Sequence, residues 1–286
     1  MIFRRKKEDE IKKEVISIPG LLQEKEEVIK NNTIGFSIAK CSVVGDRKYQ
    51  QDKARFKVWE DKAIAVLCDG MGGMVDGEAA SRVATKYFIK DFSNYEFNEN
   101  ITERLVPEMN RLDEKVIAIK KESGELGASG TTLVGVLLKE DKMWFVSVGD
   151  SRIYLLRNDK LETLTQDHNF ELVLKDYKKK GYMNEQEYQD ALKDKKSQAL
   201  ISFLGLGKRK IVDKSEQAIR MYPGDKLILC SDGLYKALYE DQIKSIASEE
   251  YTQTEEIAKR LVRVASDCSV GDQDNTTVIV IEYCNK

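Results

Sequence analysis

The chain is poor in the groups that carry out nucleophilic chemistry. Among 286 residues there is one histidine, His168, and the five cysteines never stand two or three apart. That spacing excludes a zinc-knuckle pattern. A catalytic thiol or hydroxyl needs an imidazole or a cationic pocket beside it, so a lone histidine speaks against a Ser-His or Cys-His enzyme. A basic surplus is also missing: 47 lysines and arginines face 49 aspartates and glutamates, a net charge of −2. This excludes a general nucleic-acid binder, whose footprint is basic. No run of eighteen apolar residues occurs, so no membrane span is expected. The opening residues, MIFRRKKEDE, carry charge without an apolar stretch behind them and do not read as a signal peptide. The cysteine count is odd, and Cys68 and Cys230 close apolar runs. The cysteines are therefore read as small buried hydrophobes, and the chain as cytoplasmic. No internal repeat is visible.

What is present is a globular chain, 41% apolar and long enough for a sizeable core. Residues 1–32 read as a charged N-terminal arm around one apolar island, VISIPGLL. That island is either part of a solvated arm or a docking segment. Residues 33–286 read as one domain. IGFSIAKCSVV, ARFKVW and AIAVLCD have the texture of strands, the last a buried one. Ala80, Val83, Ala84, Tyr87 and Phe88 mark one face of a helix. A second helix is expected over about residues 100–122. Strands return at TTLVGVLLKE, KMWFVSVGD and RIYLLRNDK, with short hops that predict antiparallel hairpins. Residues 166–200 are polar, rich in lysine and partly helical in pattern. DKLILCSDGL and NTTVIVIEY are further strands. Between them lies a helix with Ile257, Leu261, Val264 and Ala265 on one face and a capping box of Thr252 with Glu255. This order predicts sheet packed on sheet with helices outside.

Four acids share a placement at strand ends. Asp52 follows RKYQQ, Asp69 ends AIAVLC, Asp232 follows LILCS, and Asp274 precedes NTTVIVIEY. Asp beside Gly at a strand end is also ordinary turn chemistry, and spacing alone does not show that the four converge. If they do, they repel one another unless protonated or bridged by cations. Hard oxygen ligands of this kind suit Mg²⁺ or Mn²⁺. The glycine-rich stretch DGMGGMVDGE fits neither a calcium loop, a Walker loop nor a dinucleotide fingerprint. It lacks the alternating acids of the first, the lysine of the second and the third glycine of the last.

Taken in order, these residues resemble the metal-dependent serine/threonine protein phosphatase family, protein phosphatase 2C, in its bacterial form. RKYQQD is similar to the family's Arg-x-x-Asn-x-Asp element, and DGMGG with GEAAS to its Asp-Gly-x-Gly-Gly element. SGTT, VGDSRIYLLR, LTQDH, ISFLGLG, LILCSDGL and QDNTTVIVI follow in the family's order, over about residues 33–283. The resemblance implies an α+β fold, a four-layer αββα sandwich of two antiparallel sheets flanked by pairs of helices. It implies a flap over about residues 166–200.

It also implies phosphoserine and phosphothreonine hydrolysis by a hydroxide bridging two Mn²⁺ or Mg²⁺ ions. Asp52 and Asp69 would be ligands, Asp69 bridging, with the Gly70 carbonyl beside them. Asp232 and Asp274 would complete the second ion's shell. Asp150, with Asp232, would hold a weaker third ion, and Arg47 would clamp the substrate phosphate. Partners would be phosphorylated proteins and a cognate kinase, the protein acting as a monomer. Alternatives are an inactive member serving as a binding module and a small-metabolite phosphatase. Three positions depart from the family pattern: Met71 where many members have a histidine acid, Gln50 for Asn, and Gln51 for Glu. His168 is expected to orient its turn, Arg152 to form an ion pair beneath the site, and the flap lysines to make a solvated face or to attract acidic phosphopeptides.

Overall fold

The segment KAIAVLC shows why so many strands are apolar without alternation: both of its faces are covered. Ala63, Ala65 and Leu67 enter one core, while Ile64, Val66 and Cys68 enter another. A strand buried on both sides needs apolar residues at every position. The computed structural model describes residues 27–31, 35–71, 76–119, 129–207, 210–249, 253–269 and 271–284.

Strands are numbered in chain order. One sheet runs β1 (Glu27–Asn31), β2 (Phe36–Val43), β14 (Thr276–Tyr283), β13 (Lys226–Cys230), β9 (Arg152–Arg157) and β10 (Lys160–Thr163). The other runs β11 (Asp213–Lys214), β8 (Lys142–Val148), β7 (Leu133–Lys139), β4 (Lys62–Cys68) and β3 (Lys53–Val58), with β12 (Ile219–Arg220) also on β8. A ribbon of β5 (Gly70–Met71) and β6 (Gly130–Thr131) stands apart. Every pairing is antiparallel. The expected hairpin β7–β8 forms, but the next short hop does not make one: β8 and β9 lie in different sheets, and the turn between them crosses from one to the other. Further hairpins are β3–β4 and β9–β10.

Three apolar layers hold the sandwich together. Ile38, Leu67, Val136, Phe145, Leu229 and Ile281 meet between the sheets. Helices α1 (Asp76–Phe92) and α2 (Thr102–Ile117) cover the second sheet, with Ala80, Ala84 and Phe88 against Ile64, Leu137 and Trp144. Helices α5 (Asp232–Tyr235), α6 (Glu240–Ala247) and α7 (Thr254–Cys268) cover the first, with Ile257, Leu261 and Ala265 against Cys41, Ile228 and Val280. The expected α+β arrangement of helix, sheet, sheet and helix is therefore present. Helices α3 (Phe170–Lys179) and α4 (Glu185–Leu192) lie within residues 166–200, the segment for which the resemblance implies a flap.

Several expectations change. The last residues assigned to the charged arm, Glu27–Asn31, pair along Phe36–Lys40 as an edge strand, so the arm gives way to the sheet before residue 32. Its backbone extends the ladder although charged residues flank its two apolar ones, because an edge strand needs only one bonded side. The apolar island of the arm lies outside the described residues. So does Thr252; the residue preceding α7 is Gln253, which makes no side-chain cap bond. Cys41, Cys68 and Cys230 are buried as expected, but Cys268 and Cys284 are exposed, and all five are free thiols. Each exposed one lies near an element's end, where its neighbours no longer cover it.

Gly135, in the middle of β7, lets α1 sit close to the sheet. A Cβ there would lie 2.3 Å from the Phe88 ring. Gly135→Val is expected to destabilise the fold by at least about 1–3 kcal/mol through overpacking. Urea denaturation checks this; an unchanged midpoint and slope would show that the helix has room to spare.

Candidate active site

Sheet register brings the acids to one end of the sandwich. In the second sheet Lys53 pairs with Cys68 and Leu133 with Val148, so Asp52, Asp69 and Asp150 leave that sheet at the same edge. In the first sheet Cys230 pairs with both Val278 and Arg152, which places Asp232, Asp274 and Asp150 together. Asp150 belongs to both groups because it lies in the turn that carries the chain from β8 to β9. Asp69, Asp150, Asp232 and Asp274 line one cleft of about 770 Å³, with Arg47, Gly70 and Met71. Asp52 lies beneath its floor, 2% exposed.

Hydroxyls and amides fix these acids. The Ser231 hydroxyl donates to Asp52 Oδ2 at 2.7 Å, and the Asp52 amide donates to Gln50 Oε1 at 3.0 Å. Gln50 in turn donates to the Val43 carbonyl, so the amide that replaces the expected Asn braces the loop. Asn275 does the same from the other side. Its amide group donates to the carbonyls of Val44 and Tyr49 and accepts from the Gln51 amide. Asp69 is pinned through its backbone: its N–H donates to Thr132 Oγ1, and its carbonyl accepts from Thr131 Oγ1 and the Thr132 amide. Thr132 also shares a 2.7 Å bond with the Ser151 hydroxyl. The SGTT and GDSR stretches thus brace the end of β4 and the Asp150 turn against each other. Gly70 passes so close to α1 that a Cβ would lie 2.1 Å from the Gly77 carbonyl oxygen.

The sequence profile of protein phosphatase 2C matches residues 43–269. The chain belongs to the protein phosphatase 2C family. It is 28% identical over 230 residues to the serine/threonine phosphatase Stp of Listeria innocua, a match over 79% of this chain and 87% of that one. The solved serine/threonine phosphatase of S. agalactiae superposes with a TM-score of 0.74 at 24% identity, over 86% of this chain and 99% of that one. The catalytic domain of the phosphatase PstP, solved in complex with two manganese ions, superposes at 0.65 with 25% identity, over 87% and 99%. Its relatives make this chain a protein serine/threonine phosphatase acting on phosphoproteins, within a metal-dependent family.

In this protein phosphatase 2C the acids are turned toward the chain's own cations. Arg47 forks onto Asp274 with bonds of 3.0 and 2.9 Å, and Lys236 bonds Asp232 Oδ2. Among the described residues no three His, Cys, Asp or Glu side chains close tightly enough to hold one ion. The donor chemistry nevertheless fits hard divalent cations. All five groups are carboxylates, and the buried oxygens Asp52 Oδ1 and Asp232 Oδ1 have no hydrogen-bond partner.

Other expected residues take structural places. Arg152 forks onto Asp167 at 3.0 and 2.7 Å and stacks over Tyr235, so it braces α5 and contacts no cleft acid. His168 Nδ1 accepts from the Gly149 amide, and the His168 amide donates to the Gly149 carbonyl, which holds the Asp150 turn. The flap returns beside it, where the Ile201 amide donates to the His168 carbonyl. The flap lysines 175, 178, 180 and 193 pair with Glu171, Glu185, Asp176 and Asp190, which favours the solvated face over an anion-attracting one. Sequence reading missed Thr131, Thr132, Ser151, Ser231, Asn275 and Lys236. Lys236 left a signal in its position four residues after Asp232 on a helical turn, and the others lie within the stretches SGTT, VGDSRIYLLR, LILCSDGL and QDNTTVIVI.

Burial, followed by the charge of the neighbouring acids, pushes the Asp69 carboxyl up. Burial also lifts Asp52 to about 8 and, with help from Asp232, Asp150 to about 6. An unfolded carboxyl titrates near 4, so between that pH and these values the folded form holds protons that the unfolded form has released. Those groups favour folding at low pH and oppose it as pH rises. Burial pulls His168 the other way, down to about 4 from 6.5, so its contribution is complete above pH 6.5 and is lost as pH falls toward 4. From about pH 6.5 to 8.5, in chelator, melting temperature is therefore expected to fall as pH rises. Added Mn²⁺ is expected to reverse the trend by favouring the charged carboxylates. A flat melting profile with and without Mn²⁺ would show that these carboxyls neither hold protons in the folded form nor meet the ion.

Proposed function

We propose that this phosphatase hydrolyses phosphoserine and phosphothreonine monoesters on proteins at the carboxylate cleft, with two divalent cations held by Asp52, Asp69, the Gly70 carbonyl, Asp232 and Asp274. The observation that carries this is the convergence of those acids, with Arg47, at one end of both sheets. When bound there, Mn²⁺ or Mg²⁺ would make water a competent nucleophile at neutral pH and offset the dianion's charge.

The chain's own residues supply the rest. Asp69 stands at the end of a rigid buried strand, pinned by Thr131 and Thr132, so its carboxylate has a fixed position. Asp52 is held by Ser231 with its second oxygen free of bonds. Arg47 keeps 49% of its side chain exposed and presents a planar fork at the cleft's rim. That fork matches a phosphate as well as it matches Asp274, so the substrate would take the guanidinium over from the carboxylate. Met71 lines the wall and has no proton to give, so no side chain at that position protonates the leaving alkoxide. Substrates would be proteins phosphorylated by a serine/threonine kinase, read from an exposed rim and not from an enclosed pocket.

The direct test compares phosphopeptides with small phosphorylated metabolites, each with Mn²⁺ and with chelator. Hydrolysis that survives chelation, or that prefers metabolites, overturns the reading. Asp232→Ala is expected to leave the fold intact and to lower Mn²⁺-dependent hydrolysis of a chromogenic phosphomonoester by more than about a hundredfold, the upper range for changes outside the ligand shell. Arg47→Ala is expected to raise KM about ten- to a hundredfold with a smaller change in kcat, as loss of a charged hydrogen-bonding pair does. An unchanged KM would take Arg47 out of phosphate binding.

A further inference from the structure

Three cationic side chains line the cleft, Arg47, Lys48 and Lys236, and two of them bond its acids. Arg47 reaches it from a loop and bonds Asp274 at the rim. Lys236 is placed differently. It follows the short helical turn that Asp232 opens, and the i,i+4 spacing brings its ammonium onto the Asp232 carboxylate by the geometry of the turn itself. It lines the same cleft as Asp69 and Asp150. Burial works against its charge, while Asp232 first, and then Asp150 and Asp69, favour it. Asp150 lies 7% exposed on the Asp232 side of the cleft and accepts no bond from a described side-chain donor of its own.

Ion pairing gives this placement its meaning. If Arg47 is released to the substrate phosphate, the pair of Lys236 with Asp232 is the one that remains on a cleft carboxylate among the described residues. Its ammonium then shares the five carboxylates Asp52, Asp69, Asp150, Asp232 and Asp274 with the two divalent cations. A lysine suits that role because it is a compact charge on a flexible stem and imposes no coordination geometry. Its side chain is 53% exposed, so it keeps much of its hydration while it does so.

We propose that Lys236 is a built-in third cation, which occupies the Asp150–Asp232 side of the cleft and limits this phosphatase to two divalent ions. The inference rests on the two-cation reading above and deepens it. It departs from the weaker third ion that the family resemblance implies at Asp150. Removing the ammonium leaves Asp150 and Asp232 facing each other uncompensated, and a divalent cation then becomes the remaining way to relieve them.

The test is Mn²⁺ stoichiometry on the full chain, read by equilibrium dialysis and by the loss of the free-Mn²⁺ spin-resonance signal. Wild type and Lys236→Arg are expected to bind about two ions, and Lys236→Met about three, the additional one weakest. Lys236→Met combined with Asp150→Asn is expected to return to about two, because the extra ion loses a charged ligand. Lys236→Arg guards against a folding artefact by keeping the charge. Equal stoichiometry and affinity in wild type and Lys236→Met, or an extra ion that persists without Asp150, overturns the role of Lys236 and leaves the two-cation reading standing. No Mn²⁺ bound by any variant overturns that reading, and this inference with it.

Discussion

Like charge gathered at one point is the constraint on which the rest of this structure depends. Five carboxylates leave two sheets at the same end, and two of them, Asp52 and Asp150, are buried. Taken from water and placed side by side, such groups resist both burial and each other. The fold withstands this because the strands behind them are covered on both faces by apolar side chains. A strand end so anchored cannot swing its acid away from its neighbours. Repulsion is then relieved locally, by protonation, by the Ser231 hydroxyl, and by Arg47 and Lys236.

The same logic explains the many hydroxyl residues beneath the cleft. Thr131, Thr132, Ser151 and Ser231 are all buried, and each bonds either a backbone group of an acid or a carboxylate oxygen directly, or a neighbour that does. They set where backbone and carboxyl point without adding charge. Asn275 and Gln50 extend the arrangement to the loop between β2 and β3, which carries both Arg47 and Asp52. On the proposed function, phosphate contact and metal ligation would rest on one braced loop and would change together when it is disturbed.

Much of this was legible in the sequence. Continuous apolar runs ending in an acid announced doubly buried strands and where they stop. The helix faces of α1 and α7 were visible in their periodicity, and Asp52, Asp69, Asp150, Asp232 and Asp274 do reach one end of the molecule. Convergence itself was not legible, because it depends on register between strands far apart in the chain. The arm boundary was misplaced since an edge strand is held by backbone bonds, which composition does not reveal. The role of Asn275 was hidden for a related reason: its partners Val44, Tyr49 and Gln51 lie far away in the chain, and only the fold brings them to it.

The order of strands carries a consequence for how this enzyme comes into being. Strand β14, the domain's last element, lies in the middle of the first sheet, hydrogen-bonded to β2 on one side and β13 on the other. Asp274 and Asn275 arrive with it. Until that strand is inserted, the earliest and later portions of the sheet have no common neighbour, the ligand-bearing loop is unbraced, and the cleft lacks an acid. A chain in which β14 has yet to insert therefore has no assembled cleft.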